Sequence, residues 1–260
     1  MKIPPSLYKT AAVFSCMSAF TTLVLILAPR FFAPGDGFEA RMLRVHDGWY
    51  LFRAWAYLLH PFITGAAALA VCLRVRASAT ALAIIGAAGC ALWAFTEAAQ
   101  QCLTLFAFDK WRIAYLAGDP VIRTQMQTLT TVYDGAWDAL YVLLLIGFMI
   151  GNGALGVVFL RGRGLTRSVG AFYIAAVLLT LTYFLPEIGV PVSLGPMESW
   201  VYLATQPLAR VLIGVWLWRH SVEDGGSILE PQKKWAAGGS GPKVLGEQTV
   251  DQNLYRAPSA

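Results

Sequence analysis

The dominant pattern along the chain is a series of long apolar runs separated by short polar segments. A run of about 18 or more residues with almost no charge is long enough to cross a bilayer as an α-helix. We predict six membrane-spanning helices at about 10–29, 50–74, 79–107, 133–160, 167–187 and 197–219. The pattern therefore predicts an all-α fold, a polytopic membrane protein with a six-transmembrane-helix bundle over residues 1–220.

The polar intervals predict two further segments. Pro120 and the residues of mixed polarity after it favour a short interfacial helix within the connection 108–132. Residues 221–260 are rich in Gly, Ser and polar side chains, which is typical of a disordered tail. The first apolar run follows Lys2 and Lys9, as a secretion signal would, but no small-residue cleavage site follows it, so we predict a membrane helix there.

Composition and charge extend this interpretation to orientation. Hydrophobic residues make up 57% of the chain and charged residues 13%, about half of the charged fraction of a soluble domain. The short connections of one side carry most of the undiluted basic residues: Arg74, Arg76, Arg161, Arg163 and Arg167. Because cytoplasmic loops are enriched in Lys and Arg, we predict both termini in the cytoplasm, with the protein in the bacterial inner (cell) membrane. No basic stripe interleaved with aromatic residues is present, so no nucleic-acid partner is expected.

Arg53, Tyr57, His60 and Thr64 form a polar stripe within the second apolar run. Their spacing of i, i+4, i+7 and i+11 places them on one face of a helix. An Arg and a His within a membrane helix are costly unless they line a cavity or meet partners. Pro61 beside the stripe leaves the carbonyl of Tyr57 without its helical hydrogen bond, which is tolerated where neighbours or water satisfy it.

Polar residues of other spans fall at a similar depth. Counting about 1.5 Å per residue from the cytoplasmic end of each span places His60, Glu97 and Gln206 about 20–27 Å up. Two other polar stripes have helical spacing: Glu97, Gln101 and Thr104, and Asp134, Asp138 and Tyr141. We therefore predict a polar pocket in the outer half of the bilayer, with ligand-binding residues Arg53, Tyr57, His60, Glu97, Gln101, Asp138, Tyr202, Gln206 and Arg210. Its candidate catalytic residues are Glu97, His60 and Asp138.

Less specific interpretations of these residues stay open. Arg53 and Asp138 lie near the outer edge of the apolar core, where they could form an ordinary interfacial ion pair. His60 and Glu97 could make structural hydrogen bonds only. A single metal ion held by His60, Glu97 and Asp138 is a third interpretation, which no ligand spacing supports.

Other motifs indicate packing instead of chemistry. Residues 151–156 match GxGxxG, but no strand precedes them, and together with Gly147 they favour close helix packing within the membrane. The four cysteines lie in or beside apolar runs without a CxxC pair, as reduced packing residues do: Cys16, Cys72, Cys90 and Cys102. No two histidines share a depth on different spans and no lysine lies within a span, so neither bis-His haem nor retinal fits, and no cofactor is predicted.

Three functional hypotheses follow from the predicted pocket. The first is a protein that binds or transports a small amphiphilic or lipid-like ligand, with Arg53 attracting an anionic head. The second is an intramembrane acid/base enzyme acting on a lipid or isoprenoid, with Glu97 as proton donor and His60 as its partner. The third is an accessory subunit that docks on other membrane subunits. Membrane lipids are expected partners in all three.

Overall fold

The computed structural model describes residues 3–192, 195 and 197–221. These residues form eight α-helices and no strand: α1 (Pro5–Leu27), α2 (Gly37–Leu43), α3 (Gly48–Val75), α4 (Thr80–Leu103), α5 (Asp109–Ala117), α6 (Pro120–Leu160), α7 (Leu165–Glu187) and α8 (Met197–Arg219). The predicted tail, apart from Ser221, lies outside the described residues.

Six helical segments among the described residues are long and apolar enough to cross a membrane. They are Pro5–Phe31, Gly48–Val75, Thr80–Ala117, Pro120–Leu160, Leu165–Glu187 and Trp200–Arg219. The all-α six-helix bundle is confirmed, and the chain is an integral membrane protein. The helices α3 and α8 continue through Pro61 and Pro207, respectively.

The segment between the third and fourth spans differs from the prediction of a connection with a separate short helix. The helix α4 continues through a π-helical turn, Thr104–Phe108, into α5, and α6 then runs for 41 residues without interruption. Asp119 caps α6, since its carboxylate accepts hydrogen bonds from the backbone N–H groups of Val121 and Ile122. The predicted interfacial helix is therefore the beginning of α6, because no Gly or Pro follows Pro120 before Gly135 to end it.

The length of α6 means that its first half extends beyond the apolar core of a bilayer. A helix of 41 residues is about 60 Å long, twice the thickness of the hydrocarbon. We call α2, α5 and residues 120–137 the outer cap. Its apolar cluster consists of Met42, Phe108, Tyr115 and Tyr133, with Phe38, Leu103, Trp111, Leu116, Met126 and Trp137 against them.

Two ion pairs lie in the outer cap. The Arg41 guanidinium makes a bidentate pair with the Asp134 carboxylate, which joins α2 to α6. This hydrogen-bonded carboxylate raises the pKa of Arg41 above its ordinary value. Within α5, Arg112 Nη1 donates to Asp109 Oδ1 at 2.7 Å, and both side chains are buried. The Arg41–Asp134 pair holds α2 against α6, and the Arg112–Asp109 pair stabilises α5. Both pairs lie over the interior of the bundle.

Small residues set the closest helix contact of the bundle, between α4 and α6. A Cβ added at Gly89 would lie 2.8 Å from Cα of Gly151 and 2.9 Å from the carbonyl oxygen of Gly147. Such an approach is open only to glycine, so the packing role predicted for Gly147 and Gly151 agrees with the structure. Close contact here brings the polar face of α4 against α6.

Candidate functional site

A cavity of about 490 Å³ lies within the bundle and is lined by all six spans. Three groups of residues form its wall. The first and second spans contribute Thr22, Leu25, Ile26, Arg30, Arg53, Tyr57 and His60; the third and fourth contribute Trp93, Glu97, Tyr141, Leu144, Leu145 and Phe148; the last two contribute Thr180, Tyr183, Tyr202, Gln206 and Arg210. We call this space the central cavity.

The central cavity brings together seven of the nine predicted ligand-binding residues: Arg53, Tyr57, His60, Glu97, Tyr202, Gln206 and Arg210. They come from three helices, α3, α4 and α8, while α1, α6 and α7 provide the rest of the wall. Gln101 lines a neighbouring cavity instead. Asp138 is absent from the linings of both cavities.

The expectation that Asp138 faces the interior is wrong. Its side chain is exposed on the outer surface of α6. On the helix, Asp138 is about 100° from Trp137 and about 60° from Tyr141, which line the neighbouring cavity, so its side chain lies at the edge of the inward face and is exposed. It lies 22 residues before the end of α6, about 33 Å along the helix, which is the depth of the lipid headgroups.

His60 is held by hydroxyl groups and not by a carboxylate. Its Nδ1 lies 2.7 Å from Thr21 Oγ1 on α1, and its Nε2 lies 3.4 Å from Thr64 Oγ1 one turn along α3. The imidazole also meets the ring of Trp93 edge-on, with centroids 6.1 Å apart. Both ring nitrogens are therefore occupied, and the imidazole is fixed as part of the cavity wall.

Glu97 is the buried carboxyl group of the central cavity. Only 3% of its surface is exposed, and it has no hydrogen bond or ion pair with any described residue. Tyr57, Tyr202 and Arg210 line the same cavity. A buried carboxyl group without a partner is costly, so Glu97 favours a ligand or water that supplies one.

Arg210 lies at the inner end of the central cavity. Its guanidinium lies over the ring of Trp93, 5.7 Å from the centroid, and its backbone carbonyl accepts a hydrogen bond from Ser15 Oγ at 2.7 Å. Within the described part of the chain, no carboxylate lies within ion-pair distance of this guanidinium. Trp93 lies one helical turn from Glu97 on α4. The Arg210 guanidinium and the Glu97 carboxyl group line the same cavity but do not form an ion pair.

Arg53 lies nearer the outer cap. Its Nε donates to the carbonyl oxygen of Leu25 at 3.0 Å, and its guanidinium lies 5.2 Å from the centroid of the Tyr57 ring. The interfacial ion pair considered between Arg53 and Asp138 does not form. With Arg30 and Arg210, the central cavity has three arginines and one glutamate in its wall, which favours an anionic ligand.

Several lining residues escaped the sequence analysis. Trp93 lies four residues before Glu97, so extending that polar stripe by one turn would have found it. Thr22 gave no signal, because threonines on apolar helices usually bond to their own backbone, as its Oγ1 does to the carbonyl oxygen of Ser18. Tyr183 lies on α7, for which the sequence analysis described no polar stripe. These residues contribute aromatic and hydroxyl surface between the charged groups.

The metal interpretation of His60, Glu97 and Asp138 does not fit the structure. Among the described residues, no three His, Cys, Asp or Glu side chains lie close enough together to hold a metal ion.

The fold and the cavity define a class, a six-helix integral membrane protein with a polar and aromatic internal cavity. Comparisons of the chain with protein-family models, with curated proteins and with solved structures give no significant match.

Proposed function

We propose that this protein binds a small amphiphilic molecule with an anionic group in the central cavity, as a lipid-binding or transport protein. The observation that carries the proposal is the charge arrangement of the cavity. Arg53 and Arg210 lie toward its two ends without a carboxylate partner among the described residues, and the buried Glu97 lies between them. An anionic group on a ligand supplies the partner that the guanidinium group of Arg53 lacks.

The size and lining of the cavity favour an amphiphile over a free ion. About 490 Å³ lies within the range of about 300–1,000 Å³ of sites for small organic molecules. The walls contributed by α1 and α6 are largely aliphatic or aromatic, with Leu25, Ile26, Leu144, Leu145 and Phe148. An apolar chain packs against these residues while polar atoms face α3, α4 and α8. A whole two-chain phospholipid is too large for this space.

The proposal also covers the membrane in which the protein lies and its orientation in that membrane. An even number of spans brings both ends of the bundle to the same side. We assign that side to the cytoplasm of a bacterial inner membrane, because Arg74, Arg76, Arg161 and Arg163 lie in the short connections there. The outer cap then faces the opposite compartment, and the central cavity lies in the outer half of the bilayer.

The alternative of an acid/base enzyme has less support from the geometry. It requires Glu97 as proton donor with His60 as its partner, but the two ring nitrogens of His60 lie against Thr21 and Thr64. Such catalysis requires an acid and a base positioned within hydrogen-bond reach of the reacting group. We therefore prefer binding without turnover.

Binding of octyl phosphate to the full-length protein in lipid nanodiscs tests the proposal, with octanol as the uncharged counterpart. We expect octyl phosphate to bind more tightly, and Arg53→Met to weaken its binding about tenfold or more, since hydrogen bonds to charged groups are the strong ones. Arg76→Met, an exposed arginine outside the cavity, is the matched control.

Equal binding of octyl phosphate and octanol, or an unchanged affinity in Arg53→Met, would contradict the proposal. Recovery of the ligand after incubation separates binding from turnover, since a binding protein returns octyl phosphate intact. Loss of the phosphate group would support the enzyme instead.

A further inference from the structure

A second cavity of about 290 Å³ lies between the central cavity and the outer cap. Its lining comes from α2, α3, α4, α5, the π-helical turn and α6: Arg41, Tyr50, Arg53, Ala54, Tyr57, Gln100, Gln101, Thr104, Phe108, Arg112, Tyr133, Asp134, Trp137 and Tyr141. We call it the cap cavity. It contains Gln101, which the sequence analysis assigned to the same pocket as Glu97.

The two cavities follow one another along the same helices. Arg53, Tyr57 and Tyr141 line both of them, so they form the boundary that the cavities share. Along α4, Glu97 lines the central cavity and Gln101 the cap cavity, about 6 Å further along the helix. The polar stripe of α4 thus passes from one cavity into the other, and a long ligand can occupy both.

The cap cavity has hydrogen-bond donors that lack acceptors. Gln101 is 3% exposed, and its Nε2 has no hydrogen-bond partner among the described residues. The Nε of the buried Arg112 is likewise unsatisfied within the described chain, although its Nη1 donates to Asp109. Buried polar atoms without a protein partner are rare in folded proteins, and a bound ion, ligand or water often satisfies them.

Asp134 and Asp109, the carboxylates beside the cap cavity, already have protein partners. Asp134 is bound by Arg41, and Asp109 accepts from Arg112 and from the Tyr50 hydroxyl at 3.3 Å. A cation entering the cavity therefore finds no free carboxylate among the described lining residues, while an oxyanion finds Gln101 and the boundary residue Arg53. The π-helical turn at Thr104–Phe108 lies in the same wall, and such turns occur frequently at functional sites.

We propose that the cap cavity binds the oxyanion, a phosphate or carboxylate group, of the ligand whose apolar part occupies the central cavity. This inference rests on the proposed function and extends it, because it assigns the two ends of the ligand to two cavities. Arg53, on the boundary, contacts the oxyanion from the side of the central cavity, and Gln101 contacts it from the side of the outer cap. Gln101 is a specificity-determining residue in this arrangement.

Gln101→Leu tests the assignment, since Leu keeps most of the side-chain volume and removes the donor. In nanodiscs, we expect this variant to bind octyl phosphate about tenfold more weakly than the unmodified protein and to bind octanol unchanged. Ala54→Leu tests it sterically, because Ala54 lines only the cap cavity and a larger side chain fills it. Gln125→Leu, on the exposed face of α6, is the control for the loss of a carboxamide.

Inorganic phosphate alone distinguishes a headgroup site from a site for free phosphate. Competition by inorganic phosphate that is lost in Gln101→Leu supports a free oxyanion site, whereas binding of octyl phosphate without such competition supports a headgroup site. If Ala54→Leu does not fold, Gln101→Leu alone decides.

The two proposals fail in different ways. If Arg53→Met weakens octyl phosphate binding but Gln101→Leu and Ala54→Leu leave it unchanged, the cap cavity assignment is wrong and the proposed function stands. If the unmodified protein binds inorganic phosphate in a Gln101-dependent manner but no octyl phosphate, the proposed function is wrong and the oxyanion site stands.

Discussion

Asp47 shows how one half-buried residue positions the helix that carries Arg53, Tyr57 and His60. It is the N-cap of α3, and its Oδ1 accepts hydrogen bonds from the backbone N–H groups of Trp49 at 2.8 Å and Tyr50 at 3.1 Å. Its Oδ2 accepts from the backbone N–H of Ala33 at 2.6 Å. These bonds, that of Ala33 foremost, hold the pKa of the Asp47 carboxyl below its ordinary value.

The lowered pKa of Asp47 predicts a loss of stability in acid. A carboxyl group with a lower pKa in the folded state stabilises the fold above its unfolded pKa of about 4, and this contribution disappears as the pH falls through the folded pKa. We expect Asp47→Asn, which still caps a helix, to remove that part of the acid sensitivity. Unfolding temperatures of both proteins in nanodiscs between pH 7 and pH 2 measure it.

At pH 7, Asp47→Ala is the companion variant, and it should lower the free energy of unfolding by about 1 kcal/mol through loss of the cap. An acid-induced decrease of the unfolding temperature as large in Asp47→Asn as in the unmodified protein would contradict the prediction.

Whether the bounds of a helix can be predicted from the sequence depends on the residues that end it. The six spans are predictable because long uncharged runs have few alternatives in a membrane. The interval 108–132 is not, because its charged residues resemble a loop, while the absence of Gly and Pro between Pro120 and Gly135 lets α6 extend from Pro120. Gln101 was placed with Glu97 for a related reason. Helical spacing gives a shared face, but it does not show where Arg53 and Tyr57 divide the interior into two cavities.

The α4–α6 contact gives the sharpest prediction for a pair of helices. We expect Gly89→Ala to lower the free energy of unfolding by about 1–3 kcal/mol, because its Cβ would overlap the backbone of Gly151 and Gly147. Gly153→Ala on α6 is the matched control, since the nearest atom to its Cβ, on Val177, is 3.9 Å away. It should be neutral or stabilising by up to about 1 kcal/mol.

Unfolding temperatures of the two glycine variants in the same nanodiscs check this prediction. Equal effects at Gly89 and Gly153 would show that the backbone contact between α4 and α6 does not limit the packing of the bundle. Because α4 carries Trp93 and Glu97, we also expect Gly89→Ala to weaken octyl phosphate binding, whereas Gly153→Ala leaves it intact.

For the molecule as a whole, depth counted along each span anticipated much of the central cavity. The counts placed His60, Glu97 and Gln206 at a common level, and the structure places all three in one lining. They missed the contribution of α1, because its polar residues are hydroxyls, such as Thr22, that bond to their own helix. The cap cavity was beyond prediction, since it depends on how α2 and α5 fold over the bundle.

The depths counted along the spans depend on which end of the bundle faces the cytoplasm. Cysteine labelling determines that orientation. Ala77 is exposed in the connection between α3 and α4, beside Arg74 and Arg76, whereas Gln125 is exposed on the outer cap. Each is replaced by Cys in a protein whose cysteines, Cys16, Cys72, Cys90 and Cys102, are changed to Ala. In intact cells, a membrane-impermeant maleimide should label Gln125→Cys, and it should label Ala77→Cys only after lysis. The reverse pattern would put the outer cap in the cytoplasm, and the oxyanion would then reach Gln101 from the cytoplasmic side.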